Sequence, residues 1–298
     1  MSSKISPNPK EFFQSQISGN LTKITWAHGV NSQEDLNKTL ENDKIMMIEA
    51  DVVIGTLTNG TNDTLIPIMA HPPTSSSDLS LEIFLKDVLN NGKHGIKLDF
   101  KSIEAFNASL SILKQHHDKM TIPVWLNADI INGPTKLSSP VNANEFLSGA
   151  AENFPECTLS VGWTTSLLPI LGNNLISDDY SQQQIQEMID TLAKNNITQT
   201  VTYPVRAGIA ANSFSLWSEL LKNTTKNNST LTIWSHELDN VDADKLSKLI
   251  RDIGVDKVYV DVPDNLWEKL NISAAADNLP GIFMVISIIA ANFILNIF

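Results

Sequence analysis

The chain has 298 residues, 42% of them hydrophobic, which is enough for one large core. A formal net charge of -12 and a pI near 4.9 exclude a general basic surface for nucleic acid. The one cysteine, Cys157, excludes an internal disulfide framework and a Cys-rich zinc site, and reads as a small buried apolar residue.

In chain order, residues 1–19 form an N-terminal extension without the continuous apolar stretch of a secretory signal. From residue 20 to 272, short apolar runs rich in β-branched residues alternate with segments of helical period. The predicted strands are 23–27, 45–53, 95–100, 122–128, 158–163, 198–205, 231–236 and 257–262. A helical segment follows each. The first opens at Ser32, a predicted N-cap with Asp35 three residues on. Another ends at Asn91–Gly92, a helix stop. Eight strand–helix units predict an α/β fold, a (β/α)8 TIM barrel. A doubly wound open sheet is the alternative, but no Gly-rich turn follows the first strand. The longest connection, Gly55 to Ser80, reads as mostly a surface loop, of a length more often functional than accidental.

Residues 273–298 form a hydrophobic tail whose last part, "GIFMVISIIAANFILNIF", is uncharged and, at roughly 18 residues, just long enough to cross a bilayer core. A tail anchor, a removed glycolipid-anchor signal and a buried terminal helix are the three readings. Membrane association through this tail is expected, with the barrel on the extracellular or lumenal face. Asn-x-Ser/Thr sequons, among them Asn20, Asn37, Asn59, Asn62, Asn107, Asn196, Asn223, Asn228 and Asn271, would be glycan sites in a secreted protein.

Charged residues interrupt two of the greasiest strands. Glu49 and Asp51 share a face of "MIEADV", and Lys97 and Asp99 share a face of "GIKLDF". Both pairs fall toward the C-terminal ends of their strands, where barrel active sites assemble. A buried carboxylate must protonate, pair or bind a cation. Glu49, Asp51 and Asp99 are therefore predicted to hold a hard ion, Mg²⁺ or Ca²⁺; salt bridges to Lys97 are the alternative. His28, after the first strand, and His71, in the long connection, flank the triplet and suit acid–base work at neutral pH. His94, before the third strand, is expected to be structural. Arg206, Asn127, Trp163 and Trp234 are the rim candidates for binding a substrate, with Asp129 beside Asn127. Asp261 on the last strand could pair with Lys97 or Arg206.

These residues in this order resemble the glycerophosphodiester phosphodiesterase and spider-venom sphingomyelinase superfamily of barrels, with His28, Glu49, Asp51, His71 and Asp99 at the matching places. The resemblance implies a pair of histidines acting as acid and base and carboxylates holding Mg²⁺ or Ca²⁺. The phrases "ITWAHGVNS", "MIEADV", "IPIMAHPP", "GIKLDFK", "PVWLNADI" and "LSVGWTT" resemble the menorin family across residues 20 to 270. One departure stands out: the superfamily follows its first His with Arg-Gly, whereas Gly29 follows His28 directly. The missing cation is expected from Lys97 or Arg206. The resemblance implies a metal-dependent phosphodiesterase acting on a lysophospholipid or glycerophosphodiester, with His28, His71 and Lys97 as catalytic residues. The alternative is a non-catalytic secreted or membrane-tethered module of the menorin family with a cell-surface protein partner. A glycoside-active barrel is a weaker third reading, because Glu49 and Asp51 are neighbours on one strand rather than groups facing each other across a sugar.

Overall fold

The structure is a computed structural model and describes residues 4–58, 64–134, 139–165 and 179–272. The hydrophobic tail and the sequons at Asn59 and Asn62 lie outside these. Among the described residues no helix is long and apolar enough to cross a membrane.

Ten strands are described: β1 (Trp26–Ala27), β2 (Met47–Leu57), β3 (Ile66–Met69), β4 (Ser76–Ser77), β5 (Gly95–Phe100), β6 (Val124–Ile131), β7 (Thr158–Trp163), β8 (Val201–Arg206), β9 (Thr230–Trp234) and β10 (Val258–Asp261). Eight of them run parallel in the order β1-β2-β5-β6-β7-β8-β9-β10. The fold is the predicted (β/α)8 barrel. At the seam, no ladder among the described residues joins β10 to β1. The Leu21 N–H donates to the Val255 carbonyl at 2.8 Å at the N-terminal end, and a side-chain pair closes the other end, as described below.

Each barrel strand is followed by helix, the longest being Ile103–His116 and Gln182–Lys194. Side-chain caps start most of them. Ser32 accepts the Asp35 N–H as predicted, and Ser80, Ser102, Asn142, Ser181 and Asp242 do the same for their helices. Odd and even positions of the strands then separate. Ile48, Ala50, Ile96, Leu98, Val124, Leu126, Leu159 and Val161 pack outward against the helices as one large core. Their inward neighbours form the barrel lumen.

The lumen has two unlike ends. At the N-terminal end, Trp26, Met47, Trp125 and Tyr259 fill the barrel, with Trp125 edge-on to both Trp26 and Tyr259 at 5.5 and 4.9 Å between ring centres. Two short helices, Pro9–Phe12 and Gln14–Ile17, lay Phe13 and Ile17 over this layer. Ser6 exchanges hydrogen bonds with the backbone of Val124 at 3.1 and 3.2 Å. The described part of the predicted N-terminal extension is thus the floor of the barrel. Its apolar residues are spent on the lumen, which the pattern of residues 1–19 alone does not disclose.

Two further differences concern the first two units. The predicted strand 23–27 shortens to two residues because Asn20 caps a 3-10 turn over Leu21–Lys23 through the Thr22 N–H. The connection from Gly55 to Ser80 is exposed over much of its described length, as predicted, but it also carries strand. β2 runs on to Leu57, and β3 folds back antiparallel on it, pairing Val52 with Met69. β4 then crosses β2 at Gly55, where a Cβ would stand 2.3 Å from the Ser75 carbonyl oxygen. That close crossing needs glycine, and it brings the segment after β3 back over the barrel mouth.

Candidate functional site

Four inward residues at the C-terminal ends of β2 and β5 face one another. Register pairs Glu49 with Lys97 and Asp51 with Asp99. One oxygen from each of Glu49, Asp51 and Asp99 lies within 4.8 Å of the others, so the predicted triplet converges. Each carboxylate is held by an amide. Gly29 N–H donates to Glu49 Oε2 at 2.8 Å, Asn31 Nδ2 to Asp51 Oδ2 at 2.8 Å, and Asn127 Nδ2 to Asp99 Oδ1 at 2.6 Å. Asn127 is itself fixed by the Ser160 hydroxyl at 2.5 Å. The second oxygens of Asp51 and Asp99 both turn toward one cationic position. Oriented carboxylate oxygens at this spacing fit a six- to eight-coordinate hard ion, whose ligand oxygens span up to about 5 Å.

A cation is already present in the chain. Lys101 Nζ lies 2.7 Å from Asp51 Oδ1 and 2.6 Å from Asp99 Oδ2. The salt-bridge partner is thus Lys101 and not Lys97. Lys101 follows Asp99 by two residues and so shares its face, a period-two signal in "KLDFK" that points to it directly. Lys97 is buried, and among the described residues its ammonium makes no hydrogen bond or ion pair.

The two histidines reach the same mouth by different routes. His28 leaves β1 and sits on the seam. Its Nδ1 lies 2.9 Å from Asp261 Oδ2, at the end of β10, and 3.7 Å from Glu49 Oε2. Asp261 therefore pairs with His28 rather than with Lys97 or Arg206, because barrel closure sets the last strand beside the first. His71 follows β3. The Ala70 N–H donates to the Asp51 carbonyl at 3.0 Å, which ties this segment to the triplet. The His71 Nδ1 bonds the Pro72 carbonyl at 2.7 Å, and the ring is exposed. His94 bonds the Ile45 carbonyl before β5, at the opposite end, and is structural as predicted.

Charge is concentrated here. Burial lowers the His28 pKa, but the Glu49 and Asp261 carboxylates outweigh it and raise it to about 10. Burial raises Glu49, with Asp51 and Asp99 adding to the effect against His28 and Lys97. Burial would also raise Asp51, yet Lys101, His71 and Asn31 more than offset it and hold Asp51 well below the usual carboxylate range. Burial lowers Lys101 and the three carboxylates raise it, for a net rise. Burial and the nearby Asp99 raise Asp129 to about 7, against Lys101 and Lys97.

The remaining rim candidates divide. Arg206 and Trp234 are inward neighbours in register at the ends of β8 and β9. The Arg206 guanidinium stacks over the Trp234 ring at 5.4 Å and grips Asp239 through Nε at 2.8 Å and through a second nitrogen. Its charge is answered by Asp239. Asn127 holds Asp99 rather than facing open space. Trp163 points the other way: it is buried against Tyr180, Tyr203 and Trp217, with Nε1 donating to the Gln184 carbonyl at 3.1 Å. Strand parity places it in the helix-facing layer, so it does not line the mouth.

Fold and site together define a parallel (β/α)8 barrel whose C-terminal mouth gathers two histidines, two lysines and a carboxylate triplet flanked by Asp129 and Asp261. The Menorin N-terminal domain matches residues 20–267, and the human protein FAM151B is 36% identical over 260 residues, covering 86% of this chain and 90% of that protein. The chain belongs to the menorin family. Among solved structures, a glycerophosphodiester phosphodiesterase from Parabacteroides distasonis is similar at 12% identity and a TM-score of 0.47, over 83% of this chain and 96% of that one. An L-ribulose 3-epimerase is similar at 12% identity and a TM-score of 0.43, over 86% and 87%.

Proposed function

We propose that the barrel mouth cleaves a phosphodiester of the glycerophosphodiester or lysophospholipid class by histidine acid–base chemistry, with Mg²⁺ or Ca²⁺ held by Glu49, Asp51 and Asp99. The observation that carries this reading is the convergence of His28, clamped between Asp261 and Glu49, with a carboxylate triplet that brings one oxygen of each member within 4.8 Å of the others. When bound, the ion supplies positive charge against the phosphate oxygens, and Lys97 and Lys101 add to it.

The protein's own groups divide the proton work. The His28 Nδ1–H donates to Asp261, so Nε2 is the atom offered to a ligand, and the surrounding carboxylates keep the ring protonated. His28 is the acid. The His71 Nδ1–H donates to the Pro72 carbonyl, so Nε2 is the atom that can take up a proton. His71 is the base. It takes the proton from a hydroxyl, of water or of the substrate itself, as that oxygen bonds to phosphorus. The bond to the leaving oxygen breaks, and His28 Nε2–H protonates the departing alkoxide. An attacking hydroxyl within the substrate yields a cyclic phosphate. The test is a screen of glycerophosphodiesters and lysophospholipids with Mg²⁺ or Ca²⁺ for release of alcohol or cyclic phosphate. Product from the wild type and none from His28→Asn is the expected result; no product from any substrate in the screen would remove the reading.

A second reading is favoured by Lys101. Its ammonium spans Asp51 and Asp99, and Asp239 grips Arg206, so two cations of the mouth are satisfied within the chain. A tethered, non-catalytic module that presents this face to a cell-surface partner accounts for that. Calorimetric titration with Mg²⁺ and Ca²⁺ separates the two: heat lost in Asp51→Asn supports the metal site, and no heat in the wild type supports the module.

A further inference from the structure

One carboxyl at the mouth makes no hydrogen bond or ion pair among the described residues. Asp129 is the last inward residue of β6, in phase with Trp125 and Asn127. The ladder to β7 slips between Asp129 and Ile131, an irregularity of the kind that re-aims a side chain at a sheet rim. Opposite it in register is Gly162, where a Cβ would stand 2.7 Å from Asp129 Oδ1 and 2.8 Å from Pro204 Cγ. The missing side chain at 162 is what lets the carboxyl lie there. Among the described residues the Asp129 carboxyl makes no hydrogen bond or ion pair, in contrast to Glu49, Asp51, Asp99 and Asp261, each of which has a donor. It also stands outside the group of oxygens that could share one ion.

A second uncommitted group faces the same space. Lys97, 4% exposed, lies in register between Glu49 and Trp125, on the inward face, and among the described residues its ammonium makes no hydrogen bond or ion pair. A polar group as enclosed as Lys97 is ordinarily paired, so this donor, with the half-buried Asp129 acceptor beside the same triplet, marks groups kept for a ligand. The donor suits an anion. The acceptor suits a hydroxyl.

We infer that Asp129 reads the alcohol side of the substrate: it hydrogen-bonds a hydroxyl carried on the carbon next to the phosphoester, so the site takes a polyol phosphate over one lacking that hydroxyl. This rests on the phosphodiester reading and names the substrate feature that reading leaves open. A carboxylate oxygen accepts from a neutral hydroxyl, which is the chemistry this position offers. Sites built around a substrate hydroxyl discriminate strongly against the analogue without it, because the protein group is then left unpaired.

The test uses the full chain in Mg²⁺ and three probes: inorganic phosphate, glycerol 3-phosphate and propyl phosphate, which has the same carbon chain without hydroxyls. Calorimetry should give glycerol 3-phosphate a preference of roughly 10- to 100-fold over propyl phosphate, the range for a hydrogen bond to a charged group. Asp129→Ala should abolish the preference and leave propyl phosphate within about twofold of wild type. Gly162→Ala should act in the same direction by displacing the carboxyl. Asp129→Asn, which keeps the shape and one acceptor, should retain part of the preference and guards against a folding defect in the alanine variant. Equal affinities in the wild type, or a preference that survives Asp129→Ala, would overturn the inference while leaving phosphate binding intact. If none of the three probes binds, the phosphodiester reading fails and takes this inference with it.

Discussion

The two ends of the barrel lumen are built from the same strands and do opposite things. At the floor, Trp26, Met47, Trp125 and Tyr259 meet Phe13 and Ile17 in a dry, interlocked layer. Two residues further along the same strands, Met47 gives way to Glu49 and Trp125 to Asn127, and the lumen turns polar. The floor is stabilised by area removed from water. The mouth holds like charges together, a cost that donors, lysines or an ion must offset. One end therefore carries stability, and the other concentrates charge.

The sharpest way to break this contrast is to remove groups from each end in turn. His28→Asn should lower phosphodiester turnover by roughly 10²–10⁴-fold in a protein that still unfolds in one cooperative transition. Normal turnover in this variant would sink the acid role. At the floor, Trp125→Ala should cost about 3–5 kcal/mol in chemical denaturation, through lost burial and the cavity left behind. Calorimetric metal binding at the mouth should survive in the fraction that remains folded.

Lys101→Met tests what neutralises the triplet. Without the ammonium the carboxylates lose their internal partner, and stability should fall by up to about 3 kcal/mol in a chelator, less than for a fully buried pair because Lys101 is 24% exposed. Added Ca²⁺ or Mg²⁺ should then raise the thermal midpoint more in this variant than in wild type, since an ion that binds only the folded state stabilises it. An identical metal response in both proteins would show that ion and ammonium do not compete.

The pH dependence sharpens the comparison further, because the titrating groups with the largest functional weight lie at one end. His28 is raised from 6.5 to about 10, so its ionic contribution is complete below pH 6.5 and is lost as pH rises toward 10. Asp51 is shifted down, so its contribution is present above about pH 4, the unfolded value, and is lost as pH falls. The stability difference between wild type and His28→Asn should shrink between pH 6.5 and 10; a constant difference would contradict the ion pair. The smallest effect expected is at the floor. Ser6→Ala removes its side-chain bonds to Val124 and should cost about 1 kcal/mol in urea, without changing metal affinity.

Much of the barrel was legible residue by residue. The predicted strands 95–100 and 158–163 coincide with β5 and β7, because apolar runs bounded by turns have only one length that fits. The triplet was legible too, since alternation puts Glu49 with Asp51 and Lys97 with Asp99 on one face whatever the rest of the chain does. Trp163 shows the limit of reading position without parity: it ends β7, but its phase with Leu159 and Val161 sends it to the helices. The floor could not be read, because nothing in the spacing of Phe13 and Ile17 says which cavity they fill. Nor could β3, whose strand character depends on the overhang of β2 that it covers.

What the sequence determined alone is periodicity: eight alternating strand–helix units and the inward face of each charged residue, both set by backbone geometry over a few residues. Tertiary structure decided the partners. His28 and Asp261 are 233 positions apart and meet only because the sheet closes. Lys101, rather than Lys97, reaches the Asp51 and Asp99 oxygens. Asp129 has room for its carboxyl because Gly162 stands opposite. Local rules set which way a side chain points, and the closure and stagger of the barrel set what it finds there.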